Sequence, residues 1–397
     1  MGCRSGALAV SVFESLVGQD HVVSVLKAAA SDAALVPAGP MMTHAWLFIG
    51  PPGSGRSNAA IAFGAALVCP NGGCGMCEDC LAVLGGGHPD VEVVRPEGLS
   101  YKTEEARSLV ARSDMAPTRG RWHVIVMEDA DRLTESANNV LLKSIEEPAS
   151  RTVWLLCAPS VEDLLPTVRS RCQVVGLRTP ATDAVSTFLQ QQGVDAGTAA
   201  FAARASMGHI GRARALATIE SVRNRRHDVL IMMRDLSDLA SCMAAAGNIV
   251  AAAKADAEAL LAERDDTEKA DMLLALGAGA EGKGVKRVTK SALKDLEDRQ
   301  NARRSRTVRD ELDRVLVDLL AWFRDVLVLQ HEAPVELVNE EMRPDLARMA
   351  DETHAADTLL RIGAIRDARQ ALSMNVAPQL AMEAMVVKLR APRLAGR

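Results

Sequence analysis

Gly50-Pro51-Pro52-Gly53-Ser54-Gly55-Arg56-Ser57 sets glycines, a cation and a hydroxyl at the spacing that wraps backbone N–H groups around phosphate oxygens. The pattern G-x-x-x-x-G-K-[ST] is met at every fixed position except the lysine, which here is Arg56. Arginine keeps the charge but spreads it over a longer, planar fork. A second constellation, Cys69-x4-Cys74-x2-Cys77-x2-Cys80, offers four thiolates, the donor number that closes a tetrahedron around zinc. Gly72, Gly73 and Gly75 supply its turns, and a site with no open position is structural rather than catalytic. Free or redox-active thiols are the competing reading, and His88 stands near enough to be weighed as a ligand. Glu128-Asp129 forms a third group, an acid pair after an apolar run, where a nucleotide site would hold magnesium and orient water. Its plainer reading is a strand-end acidic patch. Arg171, within Arg169-Ser170-Arg171-Cys172, is a cation suited to carboxylate or phosphate, a surface ion pair being its plainer reading.

The elements that must position these residues are legible. Residues 45–49 read as a buried strand and 58–63 as a helix, so the glycine-rich turn lies between strand and helix. Residues 91–95 alternate like a strand, 122–127 form a buried strand ending at the acid pair, and 152–156 form another. Thr103 opens a helix as its capping residue, with acids following. Residues 138–147 carry a helical apolar stripe closed by Pro148, and 161–168 read as a short helix. Residues 179–183 look like a linker, followed by short helices to about 219. Val308, Leu312, Val315, Leu316, Leu319, Leu320, Phe323, Val326 and Leu327 keep a helical period over five turns, and Pro378 suits a first helical position.

Composition narrows the function classes. With 397 residues, 24% charged and a net charge of -5, the chain has room for two or three domains and is not a bulk electrostatic binder of nucleic acid. Aromatics at 3% leave few base-stacking platforms. Residues 277–284 read as a flexible break. The basic stretch 283–306 that overlaps it (Lys286, Arg287, Lys290, Lys294, Arg299, Arg303, Arg304, Arg306) could meet DNA phosphates, or be a solvated face laced with Asp295, Glu297 and Asp298. No apolar run reaches the length of a membrane span and 7–13 is too short for a signal core, so a cytoplasmic protein is expected. Four of the eight cysteines cluster, which in such a compartment favours metal over disulfides.

Val12-Phe13-Glu14-Ser15-Leu16-Val17-Gly18-Gln19 ahead of the phosphate loop, and the four-cysteine insert after the first helix, resemble the AAA+ clamp-loader family of bacterial DNA polymerase III. So do Asn138-Asn139-Val140-Leu141-Leu142-Lys143-Ser144-Ile145-Glu146-Glu147-Pro148 and Ser170-Arg171-Cys172. The resemblance implies an α/β plus all-α fold. Its parts are an AAA+ P-loop domain over 1–178 with parallel sheet and zinc module at 69–80, a small helical lid over 179–220, and a helical collar over 221–397. It implies that Arg171 is an arginine finger acting in trans on a neighbouring subunit's ATP. It assigns nucleotide contact to Gly50, Gly53, Gly55, Arg56, Ser57, Glu128 and Asp129, and zinc to Cys69, Cys74, Cys77 and Cys80.

Four departures mark the nucleotide set as vestigial or weak, leaving ATP and magnesium in doubt: Arg56 for lysine, Glu128-Asp129 for the usual Asp-Glu order, Ala158-Pro159 where a polar sensor is usual, and Gly211 where an arginine is usual. The implied role is that of an accessory subunit that helps load the sliding clamp onto primed DNA, probing a neighbour's ATP rather than its own. Delta and gamma/tau subunits are its implied partners. An ATP-hydrolysing gamma/tau-like motor and a stand-alone AAA+ DNA-remodelling ATPase are the competing readings.

Overall fold

The structure, a computed structural model, describes residues 11–233, 236, 238–275 and 283–390, with side chains at all of these except 274–275 and 283–291. The four runs expected as strands form β1 (Ala45–Ile49), β2 (Val91–Val94), β3 (His123–Met127) and β4 (Thr152–Ala158), and a fifth strand that the sequence did not announce, β5 (Gln173–Gly176), is short and mostly exposed. All pair in parallel, in the order β2-β3-β4-β1-β5. Parallel neighbours need crossovers long enough to return the chain, and helices provide them. These are α1 (Asp20–Ala33) before β1, α2 (Arg56–Val68) and α3 (Glu78–Leu84) after it, α4 (Thr103–Ser113), α5 (Glu135–Glu146) and α6 (Pro166–Arg169).

The period of two along each strand divides the core into two halves. Trp46, Phe48, Val124, Val126, Val153 and Leu155 point to one face and pack on Phe63 of α2, whose ring meets Trp46 edge-on at 4.9 Å between centroids. Leu47, Ile125, Met127, Trp154 and Leu156 point to the other, against Leu109 of α4 and Leu141 and Ile145 of α5. Burial on both faces explains why the central strands read as unbroken apolar runs. Trp154 is fully buried and donates its indole N–H to the Ser144 carbonyl at 3.1 Å, so its one polar atom is satisfied.

Parallel strands bring the loops after β1, β3 and β4 to one edge of the sheet, the usual seat of a ligand. That edge is stitched by Gly50 N–H to the Pro159 carbonyl (3.1 Å) and Leu177 N–H to the Ile49 carbonyl (2.7 Å).

Local readings change in three places. Strand β4 runs on through Ala158, so Cys157 is a buried strand residue. The helix expected at 161–168 shrinks to Pro166–Arg169, because Pro166 fixes the first-turn geometry where the chain has just turned. Thr103 is not the cap of α4. The cap position is Lys102, whose N–H donates to Glu105 at 3.2 Å, while the Thr103 hydroxyl lies 2.8 Å from that of Ser136.

The chain divides into two compact units, Met1–Ala217 and Thr218–Arg397. Helices α7 (Thr182–Gln191), α8 (Ala196–Ser206) and most of α9 (Ile210–Thr218) fall within the first. The second is built from α10 (Glu220–Met232), α11 (Leu239–Ala275), α12 (Lys283–Gln330), α13 (Arg343–Glu352), α14 (Ala355–Ser373) and α15 (Pro378–Leu389). The stripe Leu312, Leu316, Leu319, Phe323 and Val326 of α12 shares one core with Ile249 and Val250 of α11, Ile365 of α14 and Met382 and Val386 of α15.

Inside this second unit, buried Arg226 pairs with Asp318 at 3.1 Å and Glu341 at 3.3 Å and also donates to Asn339. Of the basic stretch, Arg303 and Arg304 are held by acids of α11: Arg303 by Asp265 (2.7 Å) and Glu268, Arg304 by Asp265 (3.5 Å). Most of the break expected at 277–284, and the side chains of Lys286, Arg287 and Lys290, lie outside the described residues.

Candidate nucleotide cradle and metal centre

The glycine-rich turn adopts the backbone its glycines permit. Gly53 (φ 85°) and Gly55 (φ 91°) are left-handed, and a Cβ on Gly53 would stand 2.7 Å from that of His209. Gly55 caps α2 without a side chain, so the first N–H groups of that helix, which have no intrahelical acceptor, receive none from the cap residue's side chain either. Arg56 opens the helix; its Nη1 is buried and finds no hydrogen-bond partner, and the same holds for the Ser54 hydroxyl. Ser57 hydrogen-bonds Cys157, whose thiol burial pushes well above the usual range.

The acids after β3 meet a cation that sequence reading passed over. Glu128 is 7% exposed, and both of its oxygens are taken by Arg95: Nε at 2.5 Å and Nη2 at 2.9 Å. This hydrogen bond raises the Arg95 guanidinium above its ordinary range. The buried Tyr101 hydroxyl shares its proton between the Glu128 carbonyl at 2.6 Å and the Val94 carbonyl at 2.9 Å, fixing the ends of β2 and β3 together. Asp129 adopts a left-handed backbone (φ 49°), and its carboxylate lies 4.0 Å from Arg132. Asp131 is raised by burial and by Asp129, with Arg56 opposing, and its Oδ1 has no partner.

Two features set this loop and acid pair apart from a lysine-and-carboxylate site for magnesium-bound triphosphate. Each oxygen of Glu128 is engaged by a guanidinium, and the loop cation is a fork rather than an ammonium. Pro159 follows directly on β4, and the hydroxyl of the next residue, Ser160, donates to Glu162. Gly211 lies beside the His209 ring, to which the Arg212 N–H donates at 3.2 Å.

Arg171 follows α6 and is exposed. Its Nη2 lies 2.8 Å from Glu146, the last residue of α5, and its Nη1 donates to the Thr167 carbonyl at 2.6 Å.

The four cysteine sulfurs all lie within 4.8 Å of one another, with Cys69 at 3.8 Å from Cys74 and 3.6 Å from Cys77. A tetrahedral zinc–thiolate site with bonds near 2.3 Å requires sulfurs about 3.8 Å apart, so the donor set fits such an ion. Cys69 belongs to the set despite its four-residue spacer. Backbone N–H groups of Met76 and then Cys77 hold the Cys74 thiol down at about 6, whereas burial pushes Cys77 and Cys80 up. His88 is not in the cluster: its Nδ1 accepts from the Asp90 N–H at 3.0 Å and its Nε2 faces Asp79 at 3.5 Å.

Sequence reading missed Arg95, Tyr101 and His209. For Arg95 a signal existed. Val94 pairs with Met127, so in parallel register the next residues, 95 and 128, come side by side. For His209 there was none, since its place over Gly53 depends on how α9 packs.

Comparison with known proteins places this part of the chain. Residues 20–181 match the family described as DNA polymerase III, delta subunit. The delta-prime subunit of Bacillus subtilis is 32% identical over 156 residues, 38% of this chain and 47% of that protein. The delta-prime subunit of Pseudomonas aeruginosa is 37% identical over 135 residues, 32% of this chain and 41% of that protein. The gamma/tau subunit of Mycobacterium tuberculosis is 32% identical over 164 residues, 40% of this chain and 27% of that protein. The chain thus spans less than half the length of these curated relatives. A gamma-subunit-related protein of Thermotoga maritima aligns over 93% of this chain and 98% of its own, at 14% identity and a TM-score of 0.41. Over residues 20–181 the chain is thus similar to the DNA polymerase III clamp-loader family, delta-prime subunits among them.

Proposed function

We propose that this chain is the delta-prime subunit of a DNA polymerase III clamp loader, helping place the sliding clamp on primed DNA without hydrolysing ATP itself. In this reading it assembles with delta and gamma/tau subunits through a helical collar, residues 221–397, with 179–220 as a small lid. Arg171 is the arginine finger that stabilises charge developing on the ATP of an adjacent gamma/tau subunit. The observation that carries the reading is the contrast between two cations. Arg171 stands exposed beyond the sheet, whereas Arg56 lies in a cradle whose glutamate is already bound by Arg95. Gly50, Gly53, Gly55, Arg56, Ser57, Glu128 and Asp129 then serve as scaffold, not as a working ATP-magnesium site.

The four cysteines hold a structural zinc. The metal would tie the knuckle to the start of the chain, where Val12 N–H donates to the Gly73 carbonyl at 3.1 Å, and to α2, against which Gly73 sits too closely for a side chain. Phosphate release from ATP by the isolated chain tests the reading. No release is expected, and steady turnover would overturn it in favour of a gamma/tau-like motor.

A further inference from the structure

Arg171 does not extend freely from the surface. Its guanidinium is folded back, with Nη2 on Glu146 at 2.8 Å, and with Nη1 on the Thr167 carbonyl at 2.6 Å and the Ser170 hydroxyl at 3.2 Å. The backbones that present this pair are fixed. Ile145, next to Glu146, is 1% exposed, and Val168, one turn before Arg171, is 1% exposed in the same apolar cluster. The two side chains themselves are only half-covered, at 38% and 41% exposure. The geometry is therefore a rigid mount carrying a movable ion pair.

The location of Glu146 favours such pairing. It ends α5, where the helix dipole is negative and a carboxylate is disfavoured unless a cation stands beside it. Yet a half-exposed pair is weak and screened by salt. A phosphate carries more charge and more acceptor oxygens than one carboxylate, so it outcompetes Glu146 for the same fork.

We propose that Glu146 is the resting partner of Arg171, holding the guanidinium against its own subunit until a phosphate presented by an adjacent subunit takes its place. This rests on the finger reading above and adds the residue that positions the finger between encounters.

The pairing is tested on the isolated chain by the rate at which phenylglyoxal modifies Arg171, followed by peptide mass spectrometry. Glu146→Gln, nearly isosteric and exposed, is expected to speed modification about two- to fivefold, the range for losing a surface ion pair. Glu147→Gln, a neighbouring acid at the same helix end, is expected to leave the rate unchanged, and the Glu146→Gln effect is expected to vanish at molar salt. A wild-type rate for Glu146→Gln, or an equal gain for Glu147→Gln, would overturn the pairing role. The finger reading is judged separately: if Arg171→Ala leaves the ATPase of the assembled complex unchanged, that reading fails whatever the modification rates show.

Discussion

Cys77→Ser separates the two jobs of one side chain in the knuckle. Cys77 is a candidate metal ligand and also the N-cap of α3, accepting from the Cys80 N–H at 3.4 Å. Serine is a good N-cap, so the substitution keeps the cap and removes the sulfur. A metal held by Cys69 and Cys80 closes a loop of 12 residues, counted from 69 through 80. Releasing a closure of that length returns about 3 kcal/mol of chain entropy to the unfolded state. In a unit of this size each kcal/mol moves the midpoint by about 2–4 °C, so the first unit should melt roughly 6–12 °C lower. The assay pairs metal analysis of the purified chain with thermal unfolding before and after chelation. One zinc per wild-type chain, lost in Cys77→Ser along with that stability, is the expected result. Four thiols that titrate freely in a metal-free wild-type chain, with no change in midpoint on substitution, would refute the reasoning and leave the free-thiol reading.

Two other predictions concern the frame around the sites. Asp90 is pushed up by burial, but hydrogen bonds from Thr118, Gly120 and Arg119 outweigh this and hold it at about 2, below the ordinary 3.8. A lowered carboxyl stabilises the fold above its unfolded value and loses that contribution as pH falls through the folded one. Asp90→Asn should therefore cost about 2 kcal/mol at neutral pH, with the gap to wild type closing between about pH 4 and 2 in acid titrations of unfolding. In the second unit, Arg226→Ala strips a buried cation from Asp318, Asn339 and Glu341 and should destabilise by about 3–5 kcal/mol in urea unfolding, since it leaves a buried charge uncompensated. A loss under about 1 kcal/mol would mean that water already reaches these acids.

What sequence reading captured follows from locality. A glycine turn between an apolar strand and a helix, a two-residue cysteine spacing and a helical apolar stripe are set by nearest neighbours, and the structure has all three. What escaped it depends on contacts far apart in the chain. Asp90 belongs to no motif of the sequence, but its carboxylate anchors residues 118–120. The cations of the basic stretch read as facing solvent or DNA, with acids of their own helix as neighbours. Arg303 instead turns to Asp265 and Glu268, a partnership visible only once α11 and α12 pack. The helix expected at 161–168 failed for a local reason that was legible, the proline at 166. Arg95 is the middle case, since strand register alone would have set it beside Glu128.

In the proposed role this chain's working cation serves a neighbour while its own cradle is idle. That role is tested most directly by DNA-stimulated ATPase of the clamp loader reassembled from delta, gamma/tau and this chain. Arg171→Ala should remove the adjacent site's contribution, a finger being worth about 10³-fold or more at the site it serves, while Arg56→Ala should leave the rate near wild type. An Arg171→Ala complex as fast as wild type, or an Arg56→Ala complex that loses its activity, would contradict the account.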